Sequence, residues 1–127
     1  MAIPILKQGD DLIVSLQAEL TDVDLGKLRE DLAERVGTQR ARGLLIDVSA
    51  LDVMDSFAAR TLMGIAQVAK LRGAEVVLAG IQPEVAFAMV QLGISLDGID
   101  TELDLDEGLL ALRERRASRT ARRAAGG

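Results

Sequence analysis

Residues 44–81 have the pattern of a strand, a helix and a second strand, and this order constrains the fold more than any other feature. Residues 43–48 form a continuous apolar run of the kind found in strands that are covered on both faces. Apolar residues recur at helical spacing over residues 56–72, Gly73 is placed to end the helix, and residues 75–81 form another β-branched run. This unit predicts two parallel strands joined by a right-handed crossover.

The flanking segments extend the same pattern in both directions. Two short strands are predicted before the first helix, which begins at the capping-box pair Thr21 and Asp24. Pro83 suits the first turn of a later helix, and a short strand near residues 99–103 precedes the last helix. We therefore predict an α/β fold with a mixed β-sheet and the element order ββαβαβαβα, as a single domain over residues 1–116.

The carboxyl-terminal segment has a different composition from the rest of the chain. Six of the last fifteen residues are arginine and one is acidic, although the net charge of the whole chain is −5. The remainder is therefore strongly acidic, which disfavours nucleic-acid binding. Residues 117–127 lack an apolar face and are predicted to form a disordered, arginine-rich tail. Docking of this tail onto an acidic partner or a neighbouring subunit is the alternative.

Composition excludes several classes of chemistry. The chain has no cysteine and no histidine, which excludes disulfides, thiolate metal sites and the commonest general base. Phosphate-binding loops, dinucleotide-binding turns, nucleophile elbows and EF-hand loops are absent from the sequence. We predict a protein that is not an enzyme and uses no cofactor. No leader peptide and no apolar stretch of membrane-spanning length is recognised, so a cytoplasmic location is expected.

Ser56 is the leading candidate for a functional residue, because it follows a buried strand and stands at the start of a long helix. Serine and aspartate are both favoured helix caps, so either Asp55 or Ser56 could cap this helix. A phosphate on Ser56 would lie at the positive end of the helix dipole, where the fold tolerates it. It would also place nearly two negative charges beside Asp52 and Asp55 and repel a partner docked against Ser56 and Phe57. The residues alone leave the cap and the switch as equal alternatives.

Three carboxylates near the end of the first strand of this unit suggest another kind of site. Asp47, Asp52 and Asp55 lie where open α/β sheets bind ligands, and together they could hold Mg²⁺ in a receiver-like phosphoacceptor that uses Asp47. Two opening strands and the lack of a lysine at the end of a late strand count against that function. We predict no metal site and expect Asp47 to hydrogen-bond local backbone.

Several short segments, in this order and at this spacing, resemble the STAS domain family, named for sulphate transporter and anti-sigma factor antagonist domains. The resemblance covers residues 3 to about 113 and implies a mixed sheet with helices packed mainly on one face. The sequences IPIL at residues 3–6 and GIQP at residues 80–83 favour the stressosome scaffold branch. The other segments that carry the resemblance are residues 12–17, 19–20, 46–48, 54–57, 70–78 and 92–94.

The resemblance implies a non-enzymatic scaffold in which the phosphorylated serine matches Ser56. Such a scaffold assembles with an RsbR-type STAS paralogue into a large hetero-oligomeric complex, and a homodimer is also expected. It holds an RsbT-type serine kinase, which is released on phosphorylating the scaffold, and an RsbX-type phosphatase resets the serine. A stand-alone anti-sigma factor antagonist that binds an anti-sigma kinase is the alternative within the family. The residues assigned to partner binding are Asp47, Asp52, Asp55, Phe57 and Arg60.

Overall fold

The computed structural model describes residues 3–18 and 20–126, apart from the side chain of Arg123. Glu19, in a segment that resembles the family, and Gly127, at the end of the predicted tail, lie outside the described residues. Within the described part of the chain, the elements follow the predicted order ββαβαβαβα. They are β1 (Ile5–Gln8), β2 (Asp11–Ser15), α1 (Asp22–Thr38), β3 (Gly43–Asp47), α2 (Ser56–Leu71), β4 (Glu75–Ala79), α3 (Pro83–Gln91), β5 (Asp100–Glu102) and α4 (Leu105–Gly126).

The strands form a mixed sheet in the order β1-β2-β3-β4-β5. β1 pairs with β2 in antiparallel orientation, and the remaining neighbours are parallel, as the strand–helix–strand pattern predicted. In this register Ser15 lies opposite Asp47, and Asp47 lies opposite Ala79. The loops that follow β2, β3 and β4 therefore emerge at one edge of the sheet, and the loop after β3 leads directly to Ser56.

Side-chain alternation along the strands divides the apolar core between the two faces of the sheet. Leu44 and Ile46 belong to a large cluster that includes residues from α1, α2 and α3. Leu45, between them, belongs to a smaller cluster with Leu112 of α4. Three of the described helices therefore cover one face and α4 packs on the other, which confirms the prediction of a mixed sheet with helices mainly on one face.

The predicted capping box at the start of α1 is confirmed. Thr21 Oγ1 accepts a hydrogen bond from the Asp24 backbone N–H at 3.1 Å, and the Thr21 backbone N–H donates to Asp24 Oδ2 at 3.2 Å. The backbone hydrogen bond from Thr21 lowers the pKa of the Asp24 carboxyl below its ordinary value of 3.8, because it favours the ionised form.

The arginine-rich segment is the main difference between the predicted and the observed fold. A disordered tail was predicted for residues 117–127, whereas α4 continues as a helix to Gly126. Alanine and arginine are strong helix formers, and arginines of α4 also pair with acidic residues that begin strands β2, β4 and β5. Arg115 pairs with Asp100, Arg116 pairs with Asp11, and Arg119 pairs with Glu75. The basic segment thus neutralises carboxylates of its own domain.

Candidate functional site

The loop between β3 and α2 carries the candidate site and is fixed to the sheet by both backbone and side chains. The Val48 N–H donates to the Ala79 carbonyl at 2.9 Å, so the loop begins beside the end of β4. Leu51 and Met54 are each 7% exposed and anchor the loop in the core. Gln82 Nε2 donates to the Ser49 carbonyl at 2.6 Å. These contacts hold the start of α2 in a defined position.

Asp55, rather than Ser56, caps α2. Its backbone has φ −83° and ψ 175°, and its Oδ1 accepts a hydrogen bond from the Ala58 backbone N–H at 2.8 Å. Ser56 is the first residue of the helix. The sequence left open whether Asp55 or Ser56 caps this helix. Because Asp55 makes the capping bond, the cap does not require the hydroxyl of Ser56.

Ser56 lines a shallow cavity of about 260 Å³ between α1 and α2. Phe57, Arg60 and Thr61 of α2 line the same cavity, and Arg29 enters it from α1. Ser56 is half-buried, whereas Phe57 is 40% exposed although it is a large apolar side chain. Of the residues assigned to partner binding, the structure brings Phe57 and Arg60 together with Ser56.

The three predicted acidic residues occupy separate positions around this loop. Asp47, at the end of β3, accepts a hydrogen bond from the Ser49 backbone N–H at 3.0 Å, which is the local backbone contact expected from the sequence. Asp52 is exposed on the loop. Asp55 caps α2 and lines a second, more apolar cavity of about 210 Å³ with Leu20 and Val53. Among the described residues, no group of three carboxylates is arranged to hold a metal ion.

Sequence reasoning missed two residues that line the cavity, Thr61 and Arg29. Arg29 lies on the exposed side of α1, more than twenty positions before Ser56, and no local motif connects it with that serine. Only the packing of α1 against α2 brings Arg29 to the cavity that Ser56 lines.

The fold and the sequence define the class of protein. The STAS domain family matches residues 2–108, and the chain belongs to that family. Among solved structures, it is similar to a serine-to-glutamate variant of RsbS from Moorella thermoacetica, with 36% identity, a TM-score of 0.84, and coverage of 91% of this chain and 97% of that one. The expected resemblance to the stressosome branch of the family is confirmed by this similarity to RsbS.

Two further relatives support the same placement. A structure described as the molecular architecture of the stressosome, a signal integration and transduction hub, has 38% identity, a TM-score of 0.80, and coverage of 89% of this chain and 98% of that one. RsbRA of Bacillus subtilis (strain 168), an RsbT co-antagonist protein, is 29% identical over 86% of this chain. The chain spans 40% of the length of RsbRA.

More distant structures share the fold. The unphosphorylated anti-sigma factor antagonist SpoIIAA is 16% identical, with a TM-score of 0.66 and coverage of 90% of this chain and 98% of that one. The chain is thus a STAS domain that is similar to RsbS and to the solved stressosome structure. None of the helices in the described part of the chain combines the length and apolar character of a membrane span.

Proposed function

We propose that this protein is a non-enzymatic stress-signalling scaffold that holds an RsbT-type serine kinase and releases it when Ser56 is phosphorylated. Release of the kinase would regulate a sigma factor or a related partner-switching pathway. The observation that carries this proposal is the position of Ser56. It lines an open cavity beside the exposed Phe57 ring, while Asp55 supplies the helix cap that the fold needs.

The chemistry of the switch follows from this position. The kinase transfers the γ-phosphoryl group of ATP to Ser56 Oγ: a bond forms between Oγ and the γ-phosphorus, the bond from that phosphorus to the bridging oxygen of the departing ADP breaks, and the hydroxyl proton passes to a base of the kinase or to water. The phosphate adds about −1.5 to −2 charges at neutral pH. Such a charge beside Phe57 opposes an apolar contact with the kinase, because burying the phosphate there requires its desolvation. The capping bond of Asp55 is untouched, so the domain stays folded while the partner leaves.

The relatives support the partners in this proposal. RsbS has been solved as a serine-to-glutamate variant, and glutamate introduces a negative charge as phosphoserine does. The similar stressosome structure is described as a signal-integration hub, and RsbRA is named a co-antagonist of RsbT. These relatives support an RsbR-type paralogue and a large complex as parts of the proposed function, and the resemblance to the family adds an RsbX-type phosphatase and a cytoplasmic location. The proposed partner surface contains Asp47, Asp52, Asp55, Phe57 and Arg60.

The test is incubation of the protein with an RsbT-type kinase and ATP, followed by intact-mass spectrometry. We expect one added phosphate on the wild-type protein and none on Ser56→Ala. Ser49→Ala is a matched control, because Ser49 is an exposed serine on the same loop and its loss should leave phosphorylation unchanged. Phosphate incorporation that survives Ser56→Ala would refute the assignment.

The size of the complex that the protein forms distinguishes a scaffold from a stand-alone antagonist. A scaffold forms a very large assembly when mixed with an RsbR-type paralogue, and light scattering after gel filtration would detect it. A small, discrete complex with an anti-sigma kinase, without such an assembly, would favour the stand-alone antagonist.

A further inference from the structure

Two arginine residues line the cavity that Ser56 lines. Arg60 follows Ser56 by four residues on α2, one helical turn along the same face. Arg29 reaches the cavity from the neighbouring helix α1. Both arginines are exposed, and neither forms an ion pair with a carboxylate among the residues that the structure describes.

The arginines of α4 make the opposite arrangement. Arg115, Arg116 and Arg119 each pair with a carboxylate at the start of a strand. Carboxylates elsewhere in the acidic domain therefore do pair with arginine. The Asp55 carboxylate, next to Ser56 in the chain, instead accepts a hydrogen bond from the Ala58 backbone N–H. Two arginines on two helices, neither paired with a carboxylate of the described residues, thus line the cavity that Ser56 lines.

We propose that Arg29 and Arg60 bind the phosphate of phosphorylated Ser56 and hold it in this cavity. This inference rests on the proposed function only in taking Ser56 as the phosphorylated residue. The ligand class is a phosphate monoester dianion attached to the chain itself. Guanidinium groups suit it, because their planar N–H donors form charge-assisted, often bidentate, hydrogen bonds with phosphate oxygens.

Phosphate binding by these arginines adds a second element to the switch. In the unphosphorylated protein, the exposed Arg60 is available to a partner. In the phosphorylated protein, Arg60 binds the phosphate on Ser56, which belongs to the same helix, and Arg29 binds that phosphate from α1. Phosphorylation would therefore withdraw a cation from the partner surface as well as add negative charge to it.

The experiment places phosphoserine at position 56 during translation, by an expanded genetic code, so that no kinase is involved. Phosphorus NMR then follows the second pKa of the phosphate, which is ordinarily about 6. Nearby cations favour the dianion and lower this pKa, whereas Asp52 and Asp55 raise it. The informative comparison is therefore between variants. We expect Arg29→Gln and Arg60→Gln each to raise the phosphate pKa by about half a unit.

Lys27→Gln is the matched control. It removes one positive charge from an exposed position of α1 that does not line the cavity. We expect it to shift the phosphate pKa by less than half as much as Arg29→Gln. Equal shifts from Lys27→Gln and Arg29→Gln, or no shift from either arginine variant, would overturn the proposal. Because the phosphate is installed without a kinase, this result is independent of whether an RsbT-type kinase modifies Ser56.

Discussion

Arg116 on α4 is ion-paired with Asp11 at the start of β2, and the pair joins the end of the chain to its second strand. Asp11 is 7% exposed, which is unusual for a carboxylate and requires a cationic partner. Its Oδ1 lies so close to Gly43 that a Cβ atom added at that glycine would clash with it. The first residues of β2 and β3 and the arginine-rich end of α4 are therefore packed as one unit.

Removal of Arg116 should destabilise the domain more than removal of an exposed arginine. Arg116→Gln leaves the Asp11 carboxylate buried without its counter-charge, and we expect a loss of about 1–3 kcal/mol in the free energy of unfolding. Arg122→Gln, at an exposed position of the same helix, should change it by no more than about 0.5 kcal/mol. Urea unfolding measures both, and equal effects would show that the pair does not hold α4.

The end of α4 provides a separate test of order in the arginine-rich segment. Arg119 donates to the Gly73 carbonyl at 3.1 Å and to Glu75 Oε1 at 3.2 Å. Because Arg119 is 43% exposed at the side chain, Arg119→Gln should cost less than about 1 kcal/mol in global stability. Local fraying should increase, however, and amide hydrogen exchange of residues 117–126 should become faster. If these amides already exchange at the unstructured rate in the wild-type protein, the prediction of a disordered tail would be correct.

The fold was predictable because its signals are local. Thr21 with Asp24 marked the start of α1, Gly73 marked the end of α2, and Pro83 marked the start of α3. Within the predicted tail, Arg119 pairs with Glu75, and just before it Arg115 and Arg116 pair with Asp100 and Asp11, all of which are distant in sequence. A count of arginines could not reveal those pairs.

The candidate site was predicted in part, for the same physical reason. The loop and Ser56 follow from the strand–helix boundary, but adjacent capping residues compete on similar terms, so the geometry had to decide between Asp55 and Ser56. Arg29 reaches the cavity only through helix–helix packing, and no periodicity along α1 reports which exposed side chain faces a neighbouring helix.

The division of roles between Asp55 and Ser56 predicts different effects on stability. Asp55→Ala removes the capping bond of α2 and should lower the free energy of unfolding by about 1 kcal/mol. Ser56→Ala should change it by less than about 0.5 kcal/mol, because the hydroxyl does not make that bond. Asp52→Ala controls for the loss of a negative charge at an exposed loop position. Urea unfolding in which Ser56→Ala is the more damaging change would reverse the assignment of the cap.

The capping box of α1 predicts a dependence of stability on acid. The folded-state pKa of Asp24 is lowered below 3.8, chiefly by the backbone hydrogen bond from Thr21. A depressed carboxyl pKa contributes stability that is present above the unfolded value and lost as the pH falls through the folded value. Asp24→Asn should therefore destabilise the protein at about pH 6 more than at about pH 2. Urea unfolding of the wild type and of Asp24→Asn measures this effect. A difference in their free energies of unfolding that stays constant between these pH values would contradict the expectation.

Gly80 connects the stability of the sheet to the position of the candidate site. Its φ is +79°, and an added Cβ atom would meet Ser49 Cβ at 2.7 Å and Ser49 Cα at 3.1 Å. Gly93→Ala is the matched control, because its φ of +69° carries similar backbone strain but nothing lies within 4 Å of the added atom. Both variants should lose about 1 kcal/mol or more in the free energy of unfolding from strain at positive φ.

Gly80→Ala must in addition displace Ser49 and the loop that leads to Ser56. We therefore expect it to slow phosphorylation of Ser56 by an RsbT-type kinase, under conditions in which both variants are fully folded. Equal phosphorylation rates for the two variants would show that the contact between Gly80 and Ser49 does not position the serine.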